Sequence, residues 1–526
     1  MEVLLVFTEL KDYLKKDFVV LFVFSAICWY FVHGTMIFYP VFNHDGITSG
    51  SFYFFISIER PLQAIWDVMK GEFRVLNITS LWAVLAIALS VFYIKKIFNI
   101  NSLFFCSLIC MVIVTSLSTI IWVATYKAVD FILIAYMFAI LSTYFLLQKS
   151  KIYILLSSLY LGLSISMYQA EMQVFVTLNA ICLLISFLKR DIIPMSYSHY
   201  VIKCIIVMLL GVSFYIFFSY ICHIIFNIPS IKGYNSPLHV FDLNLSKVLN
   251  QVLSAYVYFF AKIKEYIHYA NFAFKWVTLT ILILSIIMYY IYAYLVKLNY
   301  KKVILSMLLW ALLPLSVVCI WIVSFGVTAE HCLLSLTLMM CLPFFIYNSV
   351  RTLEIKKHFS FVSVALTLYK VFIFCIVLTI YYNAVYANGL YQRQHANFIA
   401  TTNLYSLILN DLHKFEGFVP TKTKVLLIGD LDSLDINKCT YGSVKIKDNE
   451  LYNYNITGIW NKCKSTSYYG TVFRFIEYLG YNLKMGTDSD INNMLKIEEF
   501  KKMPTYPNKG YMKFINGMLV VKIGKR

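Results

Sequence analysis

The chain has 526 residues, of which 60% are hydrophobic, 17% aromatic and only 14% charged. Soluble globular proteins carry about 45–50% apolar and about 25% charged residues, so a water-soluble enzyme of this length is excluded, and disorder and coiled coil with it. The formal net charge of +18 is not a nucleic-acid footprint, because the basic residues sit in short clusters between apolar blocks, the pattern of membrane topology.

A helix needs roughly 20 apolar residues to cross about 30 Å of hydrocarbon. Runs of that kind predict eleven spans: 18–40, 76–98, 102–123, 128–148, 152–168, 172–188, 202–226, 276–297, 303–325, 332–350 and 361–386. The first is too long for a signal-peptide core and lacks a small-residue cleavage site, so it reads as a retained helix. A cytoplasmic N-terminus puts Lys11, Lys15, Lys16, Lys95, Lys96, Lys149, Lys151, Lys189, Arg190, Lys297, Lys301, Lys302, Arg351, Lys356 and Lys357 inside. The short outer connectors at 124–127, 169–171 and 326–331 then contribute only Lys127, as the positive-inside rule requires. Two outer loops are longer, 41–75 and 227–275, and the tail from about 388 falls outside.

The first outer loop is the richest segment. Asn43-His44-Asp45-Gly46 follows a span directly, which puts Asp45 at the membrane surface. An aromatic-rich stretch from Ser51 to Trp66, carrying Glu59 and Arg60, is suited to the interface. A carboxylate beside an Arg at that level suits one chemistry: the acid takes a proton from an acceptor hydroxyl while the cation stabilises a departing lipid phosphate.

Ionisable residues within spans are functional candidates, and most of those here cluster on the outer side. Lys127 and Asp130 open the fourth span, where a helix-start ion pair is the simpler reading. Tyr168, Gln169 and Glu171 connect spans five and six; Glu171 also suits a helix start, where the dipole favours a carboxylate. Glu330 and His331 connect spans nine and ten and equally read as wet loop residues. Lys370 sits near the centre of the last span, a place that calls for a buried anionic partner, while His223 reads as a satisfied core or interface histidine.

The tail reads as an α/β module. Lys424–Ile428 is a buried strand ending at Gly429-Asp430, 467–481 an amphipathic helix, and 511–523 a hairpin turning at Asn516-Gly517. Asp430, Asp432 and Asp435 lack the Gly and terminal Glu of a calcium loop, so no metal site is expected. Cys439 and Cys463 are the two cysteines of the polar tail and, in an oxidising compartment, are expected to pair. No P-loop, GxGxxG fingerprint, repeat or low-complexity segment is present.

Taken in order, several motifs resemble the serotype-converting O-antigen glucosyltransferases of the Gtr type, membrane enzymes of the GT-C kind. They are Asp45 after the first span, Arg60-Pro61-Leu62, Thr125-Tyr126-Lys127-Ala128-Val129-Asp130, Tyr168-Gln169, and Tyr381-Tyr382-Asn383-Ala384 with Gln394 and Asn397. The strand to Gly429 and the close Met503-Pro504-Thr505-Tyr506-Pro507, Gly510-Tyr511 and Val520-Val521-Lys522 look similar too. The family commonly has adjacent acids in the first loop and Gly before Arg-Pro, where this chain has His44-Asp45 and Glu59-Arg60. An Arg of the family near the outer end of a late span is replaced by Glu330-His331. These departures leave the base open between Asp45 and Glu59.

The resemblance implies an α-helical polytopic inner-membrane protein with a GT-C-like domain over 1–387 and a periplasmic α/β domain over 388–526. Glucose would pass from undecaprenyl-phosphate glucose to an O-antigen sugar on lipid, at the periplasmic face and with inversion. No cofactor is implied, nor nucleic acid. The partners are the two lipid-linked substrates and membrane lipid, with a flippase and a donor-synthesising glycosyltransferase as candidates. Asp45 is the preferred base and Arg60 and Lys127 the preferred phosphate contacts. Asp130, Tyr168, Gln169 and Glu171 would shape the sugar pocket, with Glu330, His331 and Lys370 as further substrate contacts. The rival activities are an O-antigen polymerase or ligase, expected to have an Arg-rich large outer loop where 227–275 has none, and a transporter or flippase, whose site should lie at the midplane.

Overall fold

The computed structural model describes residues 14–38, 52–70, 76–125, 129–189, 192–231, 245–266, 277–324, 332–351, 359–429 and 475–523. They fall into two compact units, one built mainly on residues up to Ala387 and the other mainly on those from Asn388.

The first unit is helical. Its elements are α1 (Val19–Phe38), α2 (Phe52–Ser57), α3 (Pro61–Met69), α4 (Leu76–Phe98), α5 (Leu103–Val114), α6 (Leu117–Thr125), α7 (Val129–Leu146), α8 (Ile152–Met167) and α9 (Met172–Leu188). They continue as α10 (Tyr197–Phe226), α11 (Leu245–Tyr266), α12 (Val277–Leu295), α13 (Tyr300–Val317), α14 (Cys319–Val323), α15 (Leu336–Met340), α16 (Leu342–Arg351) and the start of α17 (Phe359–His413). Among the described residues eight helices are long and apolar enough to cross a membrane, in α1, α4, α7, α9, α10, α12, α13 and α17. The chain is thus a multi-pass helical membrane protein.

The remaining expected spans take other forms. The segment over 102–123 is α5 and α6, bent by 46°. Ser116 makes the break tolerable in hydrocarbon: its Oγ accepts from the Thr119 backbone N–H at 3.2 Å, and Thr119 Oγ1 donates to the Ile113 carbonyl at 2.8 Å. The segment over 332–350 divides into α15 and α16 at Cys341, where Pro343 has no N–H to offer Met339. The 16-residue α8 spans about 24 Å at 1.5 Å per residue. The stretch expected as an outer loop over 227–275 contains the long helix α11, whose Tyr256 hydroxyl donates to the Ala311 carbonyl at 2.6 Å and whose Tyr258 stacks on Trp321 at 3.9 Å. Lysines interrupt its apolar run and hide it from a hydropathy reading.

Serines stitch α7 to α8. Ser164 Oγ donates to the Ala135 carbonyl at 2.8 Å, and Ser142 and Ser157 each donate to the other's carbonyl at 2.8 and 2.7 Å. Short hydroxyls of this kind let helices approach closely in lipid. Against α8 lies α10, buried along one stripe, Tyr200, Lys203, Val207, Gly211, Tyr215, Ser219 and Cys222. Its other faces are apolar and exposed, as lipid contact demands. The crossing is close because Gly162 faces Gly211: a Cβ on Gly162 would lie 2.5 Å from Phe214 Cδ1 and 3.0 Å from the Gly211 carbonyl oxygen.

In the second unit four strands, β1 (Lys424–Ile428), β2 (Lys484–Met485), β3 (Met512–Ile515) and β4 (Met518–Lys522), form one sheet in the order β2-β1-β4-β3. The central strand β1 runs parallel to both neighbours and is buried, which its unbroken Val-Leu-Leu-Ile dictates. The expected hairpin forms, with Asn516 and Gly517 both at positive φ, 51° and 74°, as its two-residue turn needs. Helices α18 (Asp488–Met494) and α19 (Glu498–Lys502) pack their Ile491, Met494 and Phe500 on Leu426, Ile428 and Val520. A capping box of Thr487 and Asp490 starts α18. Hydrogen bonds from the Thr487 backbone and then Lys424 hold the Asp490 carboxyl down at about 2, so the cap persists throughout the ordinary pH range. Of the helix expected over 467–481, residues 475–478 are helical and 467–474 lie outside the described residues, as do Cys439, Cys463 and the 430–435 aspartates.

The glycine contact yields a test. Replacing Gly162 with Ala should destabilise the bundle by about 1–3 kcal/mol, the usual effect of overpacking, and lower the unfolding midpoint of the detergent-solubilised protein. An unchanged midpoint would show that the α8–α10 crossing tolerates a wider spacing.

Candidate active site

Helices α2 and α3 meet the ends of α8 and α10 and the starts of α7 and α9, so their polar residues gather at one end of the bundle. The organising element is the turn between α2 and α3. Glu59 has φ 64°, the left-handed conformation that glycine usually supplies at a helix end. Two hydrogen bonds close the turn in the Schellman pattern, Arg60 N to Phe55 O at 2.8 Å and Glu59 N to Ile56 O at 3.0 Å. Pro61, whose ring presets helical φ, then opens α3. Phe55, Ile56, Ile58 and Ala64 bury this corner against Cys222 and Ile228, beside the end of α10, while Tyr53, Phe54, Val68 and Met69 face outwards.

Gln169, at the junction of α8 and α9, binds the turn with its whole amide. Its Nε2 donates to the Glu59 carbonyl at 2.8 Å, and its Oε1 accepts from Arg60 Nε at 2.9 Å. The Tyr215 hydroxyl donates to the same Glu59 carbonyl at 3.0 Å. The Arg60 guanidinium lies 4.7 Å from the centroid of the Tyr168 ring, a cation–π stack that fixes its plane. Tyr168 is itself packed edge-on by Trp122 and Phe131, and its hydroxyl lies 3.1 Å from Cys332 Sγ. Arg60 is therefore held by Nε and by its face, and no hydrogen bond from its terminal nitrogens is made among the described residues. That leaves a fork of N–H donors suited to a phosphate or carboxylate.

The two oxygens of Glu59 both turn to α10: Ser219 Oγ donates to one, and His223 Nε2 lies 3.1 Å from the other. His223 is satisfied, as expected of it, but half of that satisfaction comes from an acid 164 residues away.

A second polar group lies on α3 and α7. Asp130 is completely buried, and its Oδ2 accepts from Lys70 Nζ at 2.7 Å and Trp66 Nε1 at 2.8 Å. Lys70 also pairs with Asp67 at 3.2 Å. Among the described residues the cation that Asp130 meets is Lys70, and Lys127 lies outside them. Asp130 Oδ1 is buried without a hydrogen-bond partner among the described residues, and so are both oxygens of Glu171. Beside Glu171, Gln173 Nε2 donates to the Cys332 carbonyl. Groups left unsatisfied in a dry site are costly unless something else meets them, which suits hydroxyl-rich substrate.

The structure thus joins Glu59, Arg60, Tyr168 and Gln169 directly and sets Asp130 and Glu171 at the same end. Lys370 is exposed on α17, and no described carboxylate pairs with it. Asp45, Lys127, Glu330 and His331 lie outside the described residues. Sequence reasoning passed over Lys70, Tyr215 and Ser219. A signal existed: Tyr215, Ser219 and His223 stand four residues apart on the largely apolar second half of α10. Among the described residues no group of three or more His, Cys, Asp or Glu could hold a metal ion.

A family model, glucosyl transferase GtrII, matches residues 72–347, more than half of the chain. The chain belongs to the GtrII glucosyl transferase family. Comparison with curated proteins and with solved structures returned no match. The matched region of this GtrII glucosyltransferase holds Asp130, Tyr168, Gln169, Glu171 and His223, while Glu59 and Arg60 precede it.

Because one amide positions both the turn and the guanidinium, Gln169→Leu should cut glucosyl transfer more than tenfold with the protein still inserted at normal level. Transfer by membranes normalised to protein content measures this, and a change under twofold would remove Gln169 from the site.

Proposed function

We propose that the protein moves glucose from undecaprenyl-phosphate glucose to a sugar of the lipid-linked O-antigen, at the periplasmic face of the inner membrane, inverting the anomeric centre. The observation that carries this is the fixed Arg60 fork at one end of the helical bundle, with buried, incompletely satisfied acids at the same end. A lipid-phosphate sugar offers what such a site binds, an anionic phosphate and several hydroxyls. The Lys and Arg asymmetry supports the sidedness: with eleven crossings and a cytoplasmic N-terminus, the first loop and the α/β domain over 388–526 share the outer compartment.

The acceptor hydroxyl attacks C1 of the glucose. The new C1–O bond forms as the C1–O bond to phosphate breaks, and the departing undecaprenyl phosphate keeps the electron pair. Asp45 takes the acceptor's proton. Arg60, with Lys127, holds the phosphate, which is anionic in the bound donor as it is in the departing undecaprenyl phosphate, so the contact is made before as well as during transfer and shows in the donor KM. Asp130, held by Lys70 and Trp66, and Glu171 present oxygens to sugar hydroxyls, with Glu330 and His331 as further contacts. A single displacement inverts configuration. Asp45 is preferred over Glu59 because both Glu59 oxygens are engaged by α10.

Asp45→Asn should abolish transfer from labelled undecaprenyl-phosphate glucose while insertion and expression stay intact, and Arg60→Ala should raise the donor KM at least tenfold. Near-normal transfer by the Asn variant would discard the base assignment. Reporter fusions placing residue 45 and the C-terminus on opposite faces would overturn the topology.

A further inference from the structure

We infer that His223 is a positioning residue for glucosyl transfer: it shares one proton with Glu59 and, while that proton is present, clamps the turn that aims Arg60. The role given to Arg60 rests on the function proposed above.

Three residues of α10, Tyr215, Ser219 and His223, stand four apart and so share one face. All three bind the same residue: Tyr215 holds the backbone carbonyl of Glu59, and Ser219 and His223 hold its two carboxylate oxygens. Glu59 is the left-handed residue of the turn, a conformation its side chain disfavours, so these contacts fix a backbone that would otherwise relax. Arg60 is the next residue, and its Nε is tied to the same Gln169 amide that holds the Glu59 carbonyl. Loosening Glu59 therefore moves the guanidinium.

The proton count follows from the other ring nitrogen. His223 Nδ1 lies 2.6 Å from the Ile228 carbonyl oxygen, which can only accept, so Nδ1 carries a hydrogen. The contact between Nε2 and Oε1 at 3.1 Å then needs a proton of its own. Either an imidazolium donates to the carboxylate or a carboxylic acid donates to the neutral ring. Both forms hold one proton and the same net charge. Without it two lone pairs face each other, and the contact becomes repulsive. Among the described residues, the charged and titratable groups that the contacts bring to the pair are Arg60 in the turn and Tyr215 on α10, with Tyr168 against the Arg60 guanidinium and Cys222 next to His223 in the chain. The sign is fixed: the clamp holds at low pH and opens as pH rises. Since the clamp acts through Arg60, which holds the phosphate of the bound donor and of the transition state alike, opening should raise the donor KM and spare kcat.

The test uses the full chain in lipid nanodiscs between pH 5.5 and 8.5, with transfer from undecaprenyl-phosphate glucose and, separately, 15N-histidine NMR without substrate. The native donor KM should rise about tenfold with pH, the scale of one charge-assisted hydrogen bond, with kcat changing less than threefold. His223→Gln, whose amide donates at every pH, should lose the pH slope, and His223→Ala should show the high KM throughout. The NMR signal lost in His223→Gln should shed one proton over the range, keep the other on Nδ1, and titrate differently in Glu59→Gln. A neutral ring protonated on Nε2, a titration indifferent to Glu59→Gln, or a kcat loss above a hundredfold at unchanged KM in Glu59→Gln would each overturn the inference. The NMR arm needs no donor, so failure of transfer from this lipid would sink the proposed function alone.

Discussion

Everything at the polar end of the bundle depends on how one non-helical turn meets its hydrogen-bonding needs where water is scarce. A chain that leaves a helix at the membrane exposes carbonyls that hydrocarbon cannot satisfy. Here the carbonyl at Glu59 takes the Gln169 amide and the Tyr215 hydroxyl, and Gln169 returns its own oxygen to Arg60. The group that satisfies the backbone is thus the group that orients the cation. Close packing of α8 on α10 through Gly162 and Gly211 sets the spacing at which Gln169 and Tyr215 can share one carbonyl.

Three of the carboxylates at this end, Glu59, Asp130 and Glu171, are satisfied to different degrees. Glu59 has both oxygens bound, Asp130 one, and Glu171 neither among the described residues. A buried acid with complete partners is spent on structure, whereas one with an open oxygen keeps capacity for a ligand. Asp130 combines the two: Lys70 offsets its charge in the low-dielectric interior, and Oδ1 stays without a partner among the described residues.

What the sequence disclosed followed the range of the physics involved. Length and apolarity decide whether a segment lies in lipid, so α4, α7, α9 and α12 were legible to within two residues. Local turn chemistry decides the hairpin, and Asn516-Gly517 announced it. Beyond a turn or two, legibility fails. Lys70 meets Asp130 from 60 residues back, at the end of another helix, and no local spacing announces that contact. The apolar run at 332–350 was continuous in hydropathy, and only the backbone consequence of Pro343 divides it. Arg60, Tyr168 and Gln169 were each visible as polar residues on the outer side. Their mutual contacts depend on helix crossings, which composition does not encode.

The left-handed residue shows why a glutamate can stand where glycine is the easier choice. Glycine would adopt φ 64° freely, whereas a residue with a side chain gives up roughly 1–2 kcal/mol. Its two carboxylate contacts, at about 1.5–3 kcal/mol each for charged hydrogen bonds, are enough to offset that. A glycine turn would close equally well and keep the Tyr215 bond to its carbonyl, but would offer nothing to Ser219 and His223. With glutamate the turn is joined to the far helix, and the joint carries a proton. The conformational cost is therefore the condition for a linkage that glycine cannot make.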